Sequence, residues 1–256
     1  MGEETLRLRQ DVETPPGRVI DVVVWGASRP HLLQRTLDSF RAHATFSTGR
    51  LRWFLEDGAF DAARAAESAA LAEGFGFDGI HVEHVGSYGW AMTHAMDRWV
   101  RAPLMFSLED DWLCLRDLDL DLAFDVFEQH AHVNQLRFNR RKNSRSQNDG
   151  AVVFAERTLD VGGQPLPFLS SPHWVFNPAL WRMSYIRPRW KGYCNNVHIW
   201  TNREAPIGLL PPGPRPSQDW YADVLGTLIW GGVGEPAFFE HIGSGAESIH
   251  KAQGRV

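Results

Sequence analysis

Short apolar runs alternate with amphipathic stretches through the first half of the chain. The run 19–25 is followed by a segment with apolar residues at Leu33, Leu37 and Phe40, which is the spacing of one face of a helix. The same alternation of strand-like and helix-like segments continues to Leu108. This order of elements predicts an α/β fold in which parallel strands are connected by helices.

The pattern places four strands and three helices in this half of the chain. The predicted strands are VIDVVVW, LRWFLEDG, GIHVEHVG and LMFSL, and the predicted helices are HLLQRTLDSFRAHA, FDAARAAESAALAEGFG and YGWAMTHAMDRWV. Asp61 is the predicted N-cap of the second helix, and Gly74 lies near its end. The N-terminal segment 1–17, which ends at TPPG, is predicted to be a loose arm.

The second half of the sequence is less regular. It contains short strand-like runs at NQLRFN, AVVF, HWVFN and AFFEH, a Pro/Gly-rich loop at LLPPGPRPS, and a predicted helix near DWYADVLGTLIW. No internal repeat or linker separates the halves, which meet near Ala131. We therefore predict a single domain over residues 1–256, built on a mixed, Rossmann-like sheet with flanking helices.

Polar clusters follow three of the predicted strands at the point where each strand ends. They read GASRP after the first strand, EDG after the second and EDD after the fourth. Ligands of open α/β sheets bind beyond the carboxyl ends of the strands, so these clusters are expected to converge on one site. A divalent cation would suit the acids, because hard cations prefer carboxylate oxygens. The alternative is a solvated acidic turn.

Composition and missing motifs narrow the functional classes. A net charge of −5 argues against a dedicated nucleic-acid binder, and two cysteines do not make a disulfide framework. The charged N-terminal segment lacks the apolar region of a signal peptide, and no run of about 18 apolar residues occurs, so the expected location is cytoplasmic. No phosphate-binding P-loop motif is present. The basic run 137–145 is either a solvated loop or a partner for a diphosphate.

Three segments of the first half resemble a known enzyme family. They are VVVWGASRPHLLQRTLDSF, FLEDGAFD and SYGWAMTHAMDRWVRAPLMFSLEDDWLCLRDLDLDLAFDVF. Together they resemble glycosyltransferases of the GT-A fold, family 2-like, and the EDD motif is similar to that of N-acetylglucosaminyltransferase I and its relatives. The resemblance covers about residues 19–127. In the second half, HWVFNPALW, SQDWYADVL and FFEHIGSGAES are similar to family segments over shorter stretches.

The resemblance implies a fold, a reaction and a set of site residues. The implied reaction is transfer of a hexosyl or N-acetylhexosaminyl group from a nucleotide-diphosphate sugar, with a UDP-sugar favoured, to an unknown acceptor hydroxyl with inversion. Residues 1–130 would form the nucleotide-binding half and residues 131–256 the acceptor-binding half. A divalent metal, Mn²⁺ or Mg²⁺, is implied as cofactor. The implied residues are Asp111 and His241 for the metal; Ala27, Ser28, Arg29, Glu56, Asp57, Glu109 and Asp110 for the nucleotide-sugar; Trp174 and Trp220 for the acceptor; and Asp219 as catalytic base.

Other readings of the same residues stay open. Asp219 before a helix is also an ordinary N-cap, and His241 is also a plausible surface histidine at a strand end. A non-catalytic carbohydrate- or nucleotide-binding protein would share the fold and the tryptophans. A nucleotidyltransferase would share the sheet and the metal, but GASRP lacks the Gly-rich, basic loop expected of one. The sequence departs from the family pattern in its acceptor region, so the acceptor's identity does not transfer.

Overall fold

In the first half of the chain, four strands and two helices lie where the sequence predicts them, and of the third predicted helix the structure describes only the end, as a π-helical turn. The structure is a computed structural model that describes residues 5–8, 18–47, 49–57, 61–83, 95–138, 155–170, 178–189 and 226–243. The first-half elements are β1 Thr5–Leu8, β2 Ile20–Gly26, α1 Pro30–His43, β3 Ala44–Thr45, β4 Gly49–Asp57, α2 Ala62–Phe75, β5 Gly79–Glu83, a π-helical turn Ala95–Trp99, β6 Leu104–Glu109, β7 Trp112–Cys114, β8 Leu118–Asp119 and α3 Leu120–Gln129.

The later part of the chain contributes shorter strands. They are β9 Gln135–Phe138, β10 Glu156–Val161, β11 Gln164–Ser170, β12 Ala179–Arg182, β13 Thr227–Trp230 and β14 Phe239–His241, with a short helix α4 Met183–Ile186 and a 3₁₀ turn Arg187–Arg189 after β12. Among the described helices, none combines the length and apolar character required to cross a membrane.

Ten of the described strands form one mixed sheet in the order β1-β5-β4-β2-β6-β12-β9-β13-β11-β10. Strand β2 pairs in parallel with both β4 and β6, and β4 pairs in parallel with β5. Strand β12 runs antiparallel to β6 and joins the second half to the first. The carboxyl ends of β2, β4 and β6 therefore lie along the same edge of the sheet, where the sequence predicts a site.

Both faces of strand β2 are buried, which explains why all of its residues except Asp21 are apolar. Alternate residues point to opposite faces of a strand. Ile20, Val22 and Val24 belong to a cluster that includes residues of α1 and α3, whereas Val23 and Trp25 belong to a second cluster with the π-helical turn and α4. The sheet is thus covered on both sides around the parallel strands.

Buried Asp21 interrupts the apolar run of β2 without being left unpaired. Its Oδ2 accepts hydrogen bonds from the backbone N–H of Arg101 at 2.7 Å and of Ala102 at 2.9 Å. A buried carboxylate is tolerated when it is hydrogen-bonded. Asp21 therefore fastens the segment before β6 to the start of β2.

Two predictions about secondary structure are wrong. The N-terminal arm contains β1, which pairs antiparallel with β5 at the sheet edge. The apolar run Thr227–Trp230 forms β13, parallel to β9, where a helix is predicted. Four apolar residues fit either a buried strand or a buried helical turn, so the sequence pattern alone does not separate the two.

Of the other secondary-structure predictions, some are confirmed and some concern residues outside the described part of the chain. Asp61 caps α2 by accepting from the N–H groups of Ala63 and Arg64, while the helix ends at Phe75 and Gly76 takes the left-handed conformation with φ of +87°. The strands predicted at 151–154 and 173–177 lie outside the described residues. The hairpin β10–β11 is an unpredicted element, although its two-residue Gly-Gly turn is a hairpin signal.

Candidate functional site

The loop after β2 and the turn after β6 lie side by side because their strands are paired. Trp25 stands opposite Glu109 in the register, and the backbone N–H of Asp110 donates to the Trp25 carbonyl at 2.9 Å. Two of the three predicted polar clusters, GASRP and EDD, are therefore in direct contact. The third enters through Glu56, which lies opposite Gly26 on the other side of β2.

Asp110 points into the protein and holds the two segments together. Its side chain accepts from the N–H of Ala27 at 3.0 Å and from Arg29 Nε at 3.2 Å, and Arg29 Nη2 donates to its other oxygen. Only 1% of the residue is exposed. These contacts make Asp110 the fixed point between the loop and the turn.

Asp111 faces a second group of partners. Its Oδ2 accepts from Arg29 Nη1 at 2.8 Å and lies 3.1 Å from His241 Nε2. Its Oδ1 is buried and has no hydrogen-bond partner among the described residues. A buried carboxylate oxygen without a donor is costly, so this atom marks a place where a ligand would be accepted.

His241 reaches Asp111 through a small second sheet. Strand β14 pairs antiparallel with β7 so that His241 stands opposite Trp112, and the two rings are 4.8 Å apart. The N–H of Ile242 donates to the Asp111 carbonyl at 2.8 Å. The second half of the chain thus delivers a histidine to the acidic turn of the first half.

Glu56 organises the other side of the site. Ser28 has a positive φ of 56°, a left-handed conformation that is uncommon for serine, and both its backbone N–H and its hydroxyl donate to Glu56 Oε1. A Cβ on Gly26 would lie 2.2 Å from Glu56 Oε2, so this approach requires glycine. Glu56 Oε2 is buried and makes no hydrogen bond of normal geometry among the described residues, although the Ser68 hydroxyl lies close enough to lower the pKa of Glu56 slightly.

Helix α1 clamps the acidic turn through two hydroxyl groups that the sequence analysis missed. Buried Thr36 donates to the Asp110 carbonyl at 2.8 Å and accepts from the N–H of Trp112 at 3.2 Å. Ser39 Oγ accepts from the N–H of Cys114 at 3.0 Å. The signal in the sequence is a threonine within the apolar face of a helix, which calls for a polar partner in the core.

Gly243, which belongs to the family-like segment FFEHIGSGAES, lies directly against the carboxylates. A Cβ at this position would be 2.1 Å from Asp111 Oδ2 and 2.9 Å from Arg29 Nη1. The segment after β14 can pass this close only because residue 243 has no side chain. The sequence signal was the GSG that follows His241.

Burial and neighbouring charges give the four acids of the site different pKa values. Burial raises the pKa of Glu56 to about 8 and that of Glu109 to about 7. Burial also raises the pKa of Asp110, although the Arg29 guanidinium offsets part of this effect. For Asp111, burial is outweighed by the hydrogen bond with His241 and the charge of Arg29, and its pKa is lowered. Asp111 is therefore the acid most firmly held as an anion.

The arrangement fits a cation that takes few protein ligands. No group of three or more His, Cys, Asp or Glu side chains that could hold a metal occurs in the described part of the chain. Asp111 and His241 are nevertheless in contact through Oδ2 and Nε2, and the other oxygen of Asp111, Oδ1, has no hydrogen-bond partner among the described residues. Magnesium-like cations commonly use one or two carboxylates and fill the other positions with water and substrate phosphates. The residues present fit such a site.

Several predicted site residues cannot be placed here. Asp219, Trp174 and Trp220 lie outside the described residues, as does most of the basic run 137–145. Asp57 is the last residue of β4, but its side chain is not among the described ones. Arg137 and Phe138, in contrast, belong to buried strand β9.

Comparisons with known proteins show the fold. No protein-family model matches the sequence, and no curated protein matches it. Among solved structures, residues 1–349 of S. aureus TarS in complex with UDP-GlcNAc match with a TM-score of 0.50 at 11% identity, covering 91% of this chain and 64% of that one. The same TarS segment in a second structure also matches with a TM-score of 0.50 at 11% identity, covering 87% of this chain and 60% of that one.

This chain thus spans less than two thirds of the TarS chains that it matches. TarS is a glycosyltransferase with a GT-A-like fold. At this level of identity the likeness speaks for the fold alone. The predicted architecture is confirmed: the protein has a GT-A-like fold, with a large mixed sheet flanked by helices.

Proposed function

We propose that the protein is a glycosyltransferase that moves a sugar from a nucleotide-diphosphate sugar to an acceptor hydroxyl. The observation that carries this proposal is the convergence of Glu56, Asp110 and Asp111 at the carboxyl ends of three adjoining parallel strands. Ligands of α/β sheets bind at this edge. The unpartnered oxygens of Glu56 and Asp111 supply buried acceptors that a bound ligand would satisfy.

A UDP-sugar is the favoured donor. TarS, which shares the fold, has been solved with UDP-GlcNAc bound. In this protein the loop 27–29 and Glu56 would hold the nucleoside side, because Glu56 Oε2 could donate to a ligand oxygen when the carboxyl is protonated, or accept from a ligand N–H when it is ionised. Arg29 would meet the diphosphate, since its guanidinium fork matches phosphate oxygens. The resemblance of the EDD motif to N-acetylglucosaminyltransferase I is part of this proposal.

A divalent cation, Mn²⁺ or Mg²⁺, belongs to the proposed reaction. When bound, it would offset the charge that develops on the leaving diphosphate. Asp111 would hold it through its unpartnered oxygen, and His241 through Nε2. Asp110 would act indirectly, by fixing the loop and the turn in place.

Metal-dependent nucleotide binding tests this proposal. We expect calorimetry to show that UDP binds the wild-type protein in the presence of Mn²⁺ and at least about tenfold more weakly with EDTA. Asp111→Asn keeps the size of the side chain but removes its charge, and it should lose about 1.4 kcal/mol or more of the Mn²⁺-dependent binding free energy. Equal UDP affinity with and without metal, or in Asp111→Asn, would contradict the proposal.

A matched control is available on the edge hairpin. Asp160 is exposed, and its side chain accepts from the N–H of Gly163 in the turn between β10 and β11. Asp160→Asn makes the same chemical change away from the site, so UDP affinity should equal that of the wild type. A loss as large as that in Asp111→Asn would show that the effect is not local.

Asp219 is the proposed general base, which would make the transfer inverting. A base acts in the chemical step, so Asp219→Asn should keep the affinity for the UDP-sugar and lose roughly 10²-fold or more in transfer rate. Donor hydrolysis or an acceptor screen provides the assay, and Trp174 and Trp220 are the proposed acceptor contacts.

The alternative role of Asp219 is that of a helix cap, and Asn caps helices about as well as Asp. A wild-type rate in Asp219→Asn would therefore reduce this residue to a cap, and UDP-sugar binding without any turnover in the wild type would favour a non-catalytic binding protein.

A further inference from the structure

Arg29 bridges the two aspartates that end strand β6. Its guanidinium contacts both oxygens of Asp110 through Nε and Nη2, and it contacts Asp111 Oδ2 through Nη1. The arginine side chain is only 13% exposed. A bidentate contact of this kind is geometrically specific, and a lysine could not reproduce it.

Asp110 and Asp111 differ in whether a carboxylate oxygen is still available to a ligand. Asp110 is buried and also accepts from the N–H of Ala27. Asp111 Oδ2 is shared by Arg29 and His241, while Asp111 Oδ1 has no hydrogen-bond partner among the described residues. A cation that arrives at Asp111 would thus meet a carboxylate whose other oxygen already carries the arginine charge.

Two positive groups on one carboxylate repel each other. A guanidinium 2.8 Å from Oδ2 stands within a few ångströms of any ion bound at Oδ1, because the two oxygens share one carboxylate carbon. The repulsion acts with little screening in a buried site. Gly243 lies close to Asp111 Oδ2 and to Arg29 Nη1, so the arginine has little room to move away from the ion while it stays on Asp111.

We propose that Arg29 is a resident counter-cation that competes with the divalent ion for Asp111. This inference rests on the proposed function, because it assigns the ion and the nucleotide to the same site. In the empty site Arg29 neutralises the acidic turn and keeps affinity for metal alone low. A bound diphosphate offers the guanidinium other oxygens, so Arg29 leaves Asp111 and the ion binds together with the nucleotide. Metal and donor then bind cooperatively.

Titration with Mn²⁺ alone tests the competition, with free Mn²⁺ measured by electron paramagnetic resonance. Arg29→Gln removes the competing charge, and we expect it to bind Mn²⁺ at least about tenfold more tightly than the wild type without any nucleotide. Arg18 is the matched control, because it also bridges two carboxylates, Asp125 and Glu128, at the surface. Arg18→Gln should bind Mn²⁺ as the wild type does.

Each result decides between competition and a supporting role for Arg29. Unchanged or weaker Mn²⁺ binding in Arg29→Gln would overturn the inference, as would an equal gain in Arg18→Gln. Circular dichroism checks that the variants are folded. If Arg29→Gln does not fold, Arg29→Met also removes the charge but keeps most of the apolar stem, and it should likewise bind Mn²⁺ several-fold more tightly than the wild type. Wild-type affinity in a folded Arg29→Met would then overturn the inference.

The test separates this inference from the proposed function. It uses Mn²⁺ without nucleotide, so a gain in Arg29→Gln would support competition even if UDP never binds the wild type. If UDP binds with Mn²⁺ and the arginine variants gain no metal affinity, the proposed function stands and the competition fails. The thermal midpoint gives a second readout: Mn²⁺ should raise it more in Arg29→Gln than in the wild type.

Discussion

Three consecutive acids have three different environments in this protein. Glu109 Oε2 lies 3.4 Å from Trp112 Nε1, Asp110 locks the loop after β2, and Asp111 faces His241. The sequence predicted that these acids form a site, because they end a buried strand in an α/β pattern. It could not predict their division of roles, since that depends on Arg29, which lies 81 residues before Asp110 in the chain.

Glu56 is the residue whose titration should be visible in protein stability. Its pKa is raised by burial from 4.5 to about 8, so folding favours the protonated carboxyl. Below pH 4.5 the folded and unfolded states are both protonated. Between pH 4.5 and 8 the unfolded state ionises first, and stability should fall with rising pH, at most by about 1.4 kcal/mol per pH unit. Glu56→Gln lacks this loss. The measurement is the free energy of urea unfolding at pH 5, 6, 7 and 8.

The difference in unfolding free energy between the wild type and Glu56→Gln separates the contribution of Glu56 from that of the other acids. The wild type should lose stability relative to Glu56→Gln as the pH rises across that range. Glu67 lies on the exposed face of α2, and Glu67→Gln should leave the pH profile of the wild type unchanged. Parallel profiles for the wild type and Glu56→Gln would mean that Glu56 is ionised in the folded protein throughout.

At the level of elements, the long periodic segments were predictable, whereas short strands were predicted only in part: β9 and β14 lie where strands were predicted, but β1 and β13 do not. Helices α1 and α2 have 14 residues each and carry clear signals: Pro30 in the first turn of α1, and the Asp61 cap of α2. The four-residue strands β1 and β13 carry too little pattern to be identified. Their pairing with β5 and β9 is a tertiary effect, because the partner strand supplies the hydrogen bonds that fix the local structure.

Helix α1 also shows why part of the site was invisible in the sequence. Its apolar residues identified its buried face, but Thr36 on that face contacts the turn at Asp110 and Trp112, which follows several elements later in the chain. The helix therefore does more than cover the sheet. It holds the backbone of the acidic turn at the distance at which Asp110 meets the N–H of Ala27.

At the scale of the whole molecule, the site needs both halves of the chain. Strand β14 of the second half supplies His241 to the acidic turn of the first half, and β12 extends the first half's sheet beyond β6. Contacts that cross the boundary near Ala131 in this way favour the prediction of one domain.

Arg182 is the side chain that should report on this coupling. It lies in β12, and its guanidinium donates to the carbonyl oxygens of Val133, Phe127 and His130 at 2.8 to 3.2 Å, at and beyond the end of α3. Arg182→Gln leaves the partly buried carbonyls of Val133 and Phe127 without this donor, whereas the His130 carbonyl keeps the N–H of Val133, and the variant should lower the free energy of unfolding by about 2–4 kcal/mol. Arg157, which donates to Ser170 on the edge hairpin, is the control, and Arg157→Gln should cost less than about 1 kcal/mol.

If the protein is one domain, the loss of stability in Arg182→Gln should affect both halves at once. Both halves contain tryptophans that report on unfolding, for example Trp25 and Trp99 in the first half and Trp181 and Trp230 in the second. Urea unfolding followed by tryptophan fluorescence and by circular dichroism should therefore give coincident single transitions in the wild type, and both should move to lower urea together in Arg182→Gln. Two separated transitions in urea, of which Arg182→Gln shifts the midpoint of only one, would contradict this. They would show that the halves fold independently and that the boundary near Ala131 divides two domains.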